Sequence, residues 1–121
     1  MADAAPAPAP APAPVPAYAV ARLRDVAMGP EIADYLRRID ATLEPFGGRF
    51  LVHGGPVDRL EGGWEGETVV IAFPDAAAAH AWYGSPAYRE ILPLRLRNAE
   101  CEAAIVQGVA AGYRAADLLE G

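Results

Sequence analysis

His53 is the side chain in this sequence best suited to moving a proton near neutral pH, because an unperturbed imidazole titrates there. It ends the run Arg49-Phe50-Leu51-Val52-His53, which is apolar apart from its two ends. If that run is a strand, its two-residue period puts His53 on the same side as Arg49 and Leu51. His53 could then serve as a general base, with Arg22 or Arg49 steadying an anionic intermediate. A hydrogen-bonded histidine at a strand end is the other reading. Trp82, Tyr83 and Tyr88 fall on consecutive helical segments, where polar-tipped aromatics could shape a ligand pocket or simply join helix to sheet. Trp64 sits in Glu61-Gly62-Gly63-Trp64-Glu65, a glycine-rich loop, and its large ring needs a cleft or partner to cover it.

The remaining reactive groups are sparse. Ser85 is the one serine, and Ser85-Pro86 reads as a helix N-cap followed by proline in the first turn, not as a nucleophile. Cys101 lies between Glu100 and Glu102, whose charges disfavour a thiolate. His80 follows an alanine run and reads as a solvent-facing helical residue. The two histidines and the cysteine lack metal-ligand spacing, so no metal is expected. Glu61, Glu65 and Glu67 could share protons but read more simply as a solvated loop. No glycine-rich phosphate loop precedes a helix, so no nucleotide or other cofactor is implied.

Composition narrows the classes further. The 121 residues allow one domain and include 27 alanines and 12 prolines. All ten basic residues are arginines, set against sixteen acids, for a net charge of −6. The pairs Arg22/Arg24, Arg37/Arg38 and Arg95/Arg97 read as solvated charge. No basic stripe is present to neutralise phosphates, which argues against nucleic acid. No run approaches the roughly 18 apolar residues of a membrane span. The start of the chain lacks the charged and apolar regions of a signal peptide. A single cysteine points to no oxidising compartment, and a cytoplasmic location is expected.

Certain elements must position these groups. Residues 4–16 are built almost entirely of alternating alanine and proline, and 1–16 are expected to form an extended, disordered tail outside the fold. Residues 17–24 alternate as a strand. Gly29-Pro30-Glu31 opens a helix carrying Ile32, Tyr35, Leu36, Ile39, Leu43 and Phe46 at helical spacing, and Pro45 with Gly47-Gly48 stops it. Further strands are expected at 48–54, 67–73 and 101–107, with a long loop from 55 to 66. Asp75 caps a helix over 76–83, and Ser85 caps another that is disturbed at Pro93 before reaching Asn98. Residues 109–121 form a weakly helical tail. The order β-α-β-β-α-β, with its second helix broken in two, predicts an α+β, ferredoxin-like fold: a four-stranded antiparallel sheet with helices on one face.

The strands are more apolar than a half-exposed sheet should be. Val69, Val70, Ile71, Ala72 and Phe73 are apolar on both faces, as are Ala103, Ala104, Ile105 and Val106. Helices cover one face only, so the other predicts a second copy packed against it and a homodimer.

Several runs resemble a known family. They are Tyr35, then Gly47-Gly48-Arg49-Phe50, Gly54-Gly55, Leu60-Glu61-Gly62 and Val70-Ile71-Ala72-Phe73-Pro74. Next come Ala81-Trp82-Tyr83-Gly84-Ser85-Pro86-Ala87-Tyr88, Arg95 and Gly108. In this order, over about 17–108, they are similar to the domain of unknown function 1330 family. That resemblance implies a small bacterial protein of the dimeric α+β barrel superfamily. Members often carry Arg at the position of His53 and an acid at that of Ala72, so a polar site there would be altered in this chain.

Two functions remain open. One is a dimer that binds a small organic molecule between sheet and helices. Within the superfamily that extends to cofactor-independent monooxygenases and small isomerases or lyases. The other is a non-catalytic structural or interaction dimer, favoured by one Ser, two Thr, one Asn and one Gln.

Overall fold

The computed structural model describes residues 15–120. The Ala-Pro tail expected over 1–16 therefore lies, up to residue 14, outside the described residues. Chain order is β1 (Ala17–Arg24), α1 (Pro30–Leu43), a single 3₁₀ turn, β2 (Arg49–His53), β3 (Glu67–Phe73), α2 (Ala76–Tyr83), α3 (Pro86–Leu96) and β4 (Glu100–Gln107). A short 3₁₀ helix, Ala115–Glu120, closes the described chain and is fully exposed. The sheet runs β2-β3-β1-β4, and every pairing is antiparallel. That is the ferredoxin-like α+β arrangement expected from the element order. Among the described residues, no helix is long and apolar enough to cross a membrane.

Local chemistry accounts for the helix boundaries. Pro30 occupies the first turn of α1, where its missing N–H costs no hydrogen bond. The Asp75 carboxylate accepts from the Ala78 N–H at 2.7 Å and starts α2. Ser85 starts α3 by accepting from the Tyr88 N–H at 3.3 Å, while its own hydroxyl donates to the Trp82 carbonyl at 2.8 Å. Pro93 does not interrupt α3, contrary to expectation. The proline lies on the exposed side of the helix, where water can satisfy the carbonyl freed one turn earlier. The Arg97 N–H then bonds to the Pro93 carbonyl at 3.0 Å, completing the last turn.

Pairing sorts the strand residues onto two faces. Ala19 lies between Ile71 and Ile105, and Ala21 between Val69 and Ala103, on the helix-facing side. Val20 lies between Val70 and Ala104, and Tyr18 between Ala72 and Val106, on the opposite side. Among the described residues, no helix covers that second face. The core lies between sheet and helices, built from Ala17, Tyr35, Ile39, Leu43, Ile71, Phe73, Ala79, Trp82, Tyr88, Ile91 and Leu92.

β2 departs from regular alternation. Phe50 pairs with Ile71 and His53 with Val69, leaving Leu51 as an extra residue in a bulge. The bulge reverses the parity of the strand after Phe50. His53 therefore shares a face with Phe50, not with Arg49 and Leu51, and its ring stacks on Phe50 at 4.4 Å and 11°.

Candidate functional site in a sheet-to-helix cavity

Small side chains leave room beneath α1. Ala19, Ala21 and Ala103 project from β1 and β4 toward the helices, and each ends at its Cβ. Close-packed interiors leave few voids larger than a water molecule. Here a cavity of about 570 Å³ remains between sheet and helices. That size falls within the roughly 300–1,000 Å³ range of small-molecule sites. Ile32, Tyr35, Leu36 and Ile39 of α1 form one wall, and Val69, Ile71 and Ile105 of the sheet form another.

The aromatic residues converge on this space. Trp82 and Tyr88 have ring centroids 4.1 Å apart, and Tyr83 lies 5.7 Å from Tyr88. Trp82 is held from outside the cavity: its indole N–H donates to Thr42 Oγ1 at 3.0 Å, and that hydroxyl donates to the Ile39 carbonyl at 2.6 Å. Phe73 packs against the same indole at 5.4 Å.

Two polar residues in the cavity wall were not anticipated from sequence as site residues. The Tyr35 and Tyr88 hydroxyls share a hydrogen bond of 2.8 Å, and Arg95 Nη2 donates to Tyr88 Oη at 3.3 Å. Arg95 is only 7% exposed, so reading it with Arg97 as solvated charge is corrected. Its position on α3 explains this. Tyr88, Ile91, Leu92 and Arg95 form one helical stripe, and all four are buried. Arg97, two residues on, points outward and pairs with Glu31. The seven-residue step from Tyr88 to Arg95 was the available signal, and Tyr35 lies on the matching stripe of α1. Burial pushes the Tyr35 hydroxyl far above the usual phenol range, and Tyr88 beside it adds to the effect. Burial opposes the Arg95 charge, but Tyr88 and Tyr35 outweigh that, and the guanidinium is held more firmly protonated than usual.

The cavity thus gathers His53, Trp82, Tyr83 and Tyr88, but not all the residues singled out from sequence. His53 is exposed and stands at the mouth with Gly54, Glu67 and His80. Arg22 and Arg49 do not join it. Arg22 shares strand parity with Val20, and Arg49 pairs with Ala72, so both belong to the uncovered sheet face. Trp64 lies beside Arg22 instead of over the cavity. The guanidinium sits 4.8 Å from the Trp64 ring, and the indole N–H donates to Thr68 Oγ1 at 3.2 Å. Arg22 Nη2 also donates to the Glu65 carbonyl at 3.0 Å, tying the loop to β1. Ser85 is a helix cap in the structure as in the sequence reading. Among the described residues, no group of three or more potential metal ligands converges.

Residues 16–109 match a family described as a domain of unknown function, DUF1330. The chain belongs to the DUF1330 family. Two solved structures of RPA0582, a protein of unknown function from Rhodopseudomonas palustris, share this fold at 22% identity. In one, the match spans 78% of this chain and 83% of that one with a TM-score of 0.60. The other is the methylated protein, matched over 85% and 86% with a TM-score of 0.59. SnoaB, a cofactor-independent oxygenase from Streptomyces nogalater, is similar at 12% identity. That match covers 84% of this chain and 99% of SnoaB, with a TM-score of 0.50. These likenesses place the DUF1330 chain in the same α+β fold. No curated protein matches it in sequence.

Proposed function

We propose that this DUF1330 protein binds a planar, largely apolar organic molecule in the cavity between sheet and helices, and does so as a homodimer. The observation that carries the reading is the cavity of about 570 Å³ walled by Trp82, Tyr83 and Tyr88. A purely structural dimer has no use for such a space, because filling it with larger side chains would add packing contacts. Dimerisation is supported by the apolar uncovered face, with Val20 and Val70 on its central strands and Val52 and Val106, 40% and 50% exposed, on its outer ones.

Binding of 2-naphthol, followed by quenching of Trp82 emission in a Trp64→Phe background, tests the reading. Saturable quenching is expected, and Ala21→Phe, which fills the cavity from its floor, should abolish it. Equal quenching in Ala21→Phe, or none in the parent protein, would overturn it.

A second reading is favoured by one observation: His53 stacks on Phe50 at the cavity mouth, where it could exchange protons with a bound molecule and with solvent. SnoaB has the same fold and is an oxygenase that needs no cofactor. In an enzyme of that kind His53 would act as the base. A His53→Ala variant that turned over substrate unchanged would remove this role.

A further inference from the structure

Arg95 brings a permanent positive charge to the cavity wall and meets no carboxylate there. Among the described residues, none of the ion pairs includes it. Arg24, Arg38 and Arg97, all more exposed, each have an acidic partner. Of the arginines without an acidic partner, only Arg95 is buried, and a charge removed from water needs a partner more than a solvated one does.

Its side-chain neighbours are phenols and the Cys101 thiol, not carboxylates. Nη2 donates to Tyr88 Oη, and the guanidinium carbon lies 6.0 Å from the centre of the Tyr35 ring. A guanidinium has five N–H donors in a planar fork, and that fork matches the two oxygens of a carboxylate. The Tyr35–Tyr88 pair adds hydroxyls beside the fork. Elsewhere the lining is overwhelmingly aliphatic or aromatic, which suits a ring system and not a sugar. Glu67 stands at the mouth, where its charge would discourage an anionic group from resting at the entrance and favour its inward orientation.

We infer that the molecule taken up by this cavity is an aromatic or alicyclic acid whose carboxylate pairs with Arg95 while its ring lies against Trp82 and Tyr83. The inference rests on the small-molecule reading above and adds the ligand's chemical class.

A matched pair of probes tests it by isothermal titration of the full chain: 2-naphthoate and its uncharged analogue 2-naphthamide. The carboxylate should bind at least tenfold more tightly to the wild type. Arg95→Met puts a flexible apolar chain into a buried site and is expected to keep the fold. In that variant naphthoate should fall to the level of naphthamide, while naphthamide changes little. Equal affinities in the wild type would overturn the inference and leave the apolar pocket standing, with Arg95 a packing cation against Tyr35. A naphthoate preference that survives Arg95→Met would overturn the role of Arg95. Binding of neither probe would overturn both the inference and the reading beneath it. The wild-type comparison depends on no variant.

Discussion

The hydroxyls of Tyr35 and Tyr88, 53 positions apart in sequence, meet at 2.8 Å where α1 packs against α3. Their rings cross edge-to-face at 6.2 Å and 68°. This contact holds the two helices at the wall of the cavity. It also gives the buried Arg95 its acceptor, since Arg95 Nη2 bonds to the same Tyr88 oxygen. Tyr88 therefore serves two partners and Tyr35 only one.

Removing the two hydroxyls should have unequal costs. Tyr35→Phe loses one hydrogen bond and leaves Tyr88 still bonded to Arg95, a loss of about 1 kcal/mol. Tyr88→Phe strands both the Tyr35 hydroxyl and an Arg95 donor, a loss of about 2–3 kcal/mol. Urea unfolding midpoints would check the order, and equal costs would refute the shared role of Tyr88.

Glu31 links the start of α1 to the end of α3. Its carboxylate accepts from the Arg97 guanidinium and from Asn98 Nδ2, and these bonds hold its pKa below the ordinary 4.5. A lowered carboxylate pKa contributes stability above the unfolded value, and that contribution is lost as pH falls through the folded one. Glu31→Gln should therefore be less stable than wild type at neutral pH, with the gap closing in acid below about pH 4.5. Both carboxylate and guanidinium are exposed, so the gap should shrink with added salt. Denaturation curves across that pH range would show it, and a gap that widens in acid would contradict the linkage.

Two loop glycines with positive φ should respond differently to alanine. Gly62 has φ +72 with open space around its Cβ position, so Gly62→Ala pays only for the left-handed backbone, about 1 kcal/mol. At Gly66, φ is +88 and an added Cβ would lie 2.7 Å from the Leu23 carbonyl oxygen. Backbone strain and overpacking together should make Gly66→Ala cost about 3 kcal/mol. Thermal melts would rank them, and a harmless Gly66→Ala would mean the loop is not held against β1.

The proposed dimer makes a prediction at Val70, which lies beside Val20 on the uncovered face. Light scattering at micromolar concentration should give twice the chain mass for wild type and a single chain mass for Val70→Asp. A charge buried without a partner across such an interface is strongly unfavourable. A monomeric wild type would defeat the proposal.

The strands and helices were largely legible because their signals are local. Alternation in 17–24 and the caps Asp75 and Ser85 mark elements that begin where expected. Pro93 was misleading because its effect depends on which side of α3 faces water. Leu51 was illegible for another reason: no glycine or proline marks the bulge that turns His53 to the face of Phe50. That extra residue also reversed the expected company of His53, separating it from Arg49.

The sequence by itself determined the order of elements, the doubly apolar strands and the run of aromatic residues on the later helices. These follow from periodicities of two and 3.6 residues, which any short window contains. Tertiary structure decided which charge reaches the cavity. Arg22 and Arg49 went to the uncovered face, and Arg95 entered the wall beside Tyr35 and Tyr88. Ten arginines look alike as residue types, but strand register and helix packing give each a different dielectric surrounding. For Arg95 that surrounding is a buried cavity wall with no acidic partner, which is what turns a surface-like charge into a candidate recognition group.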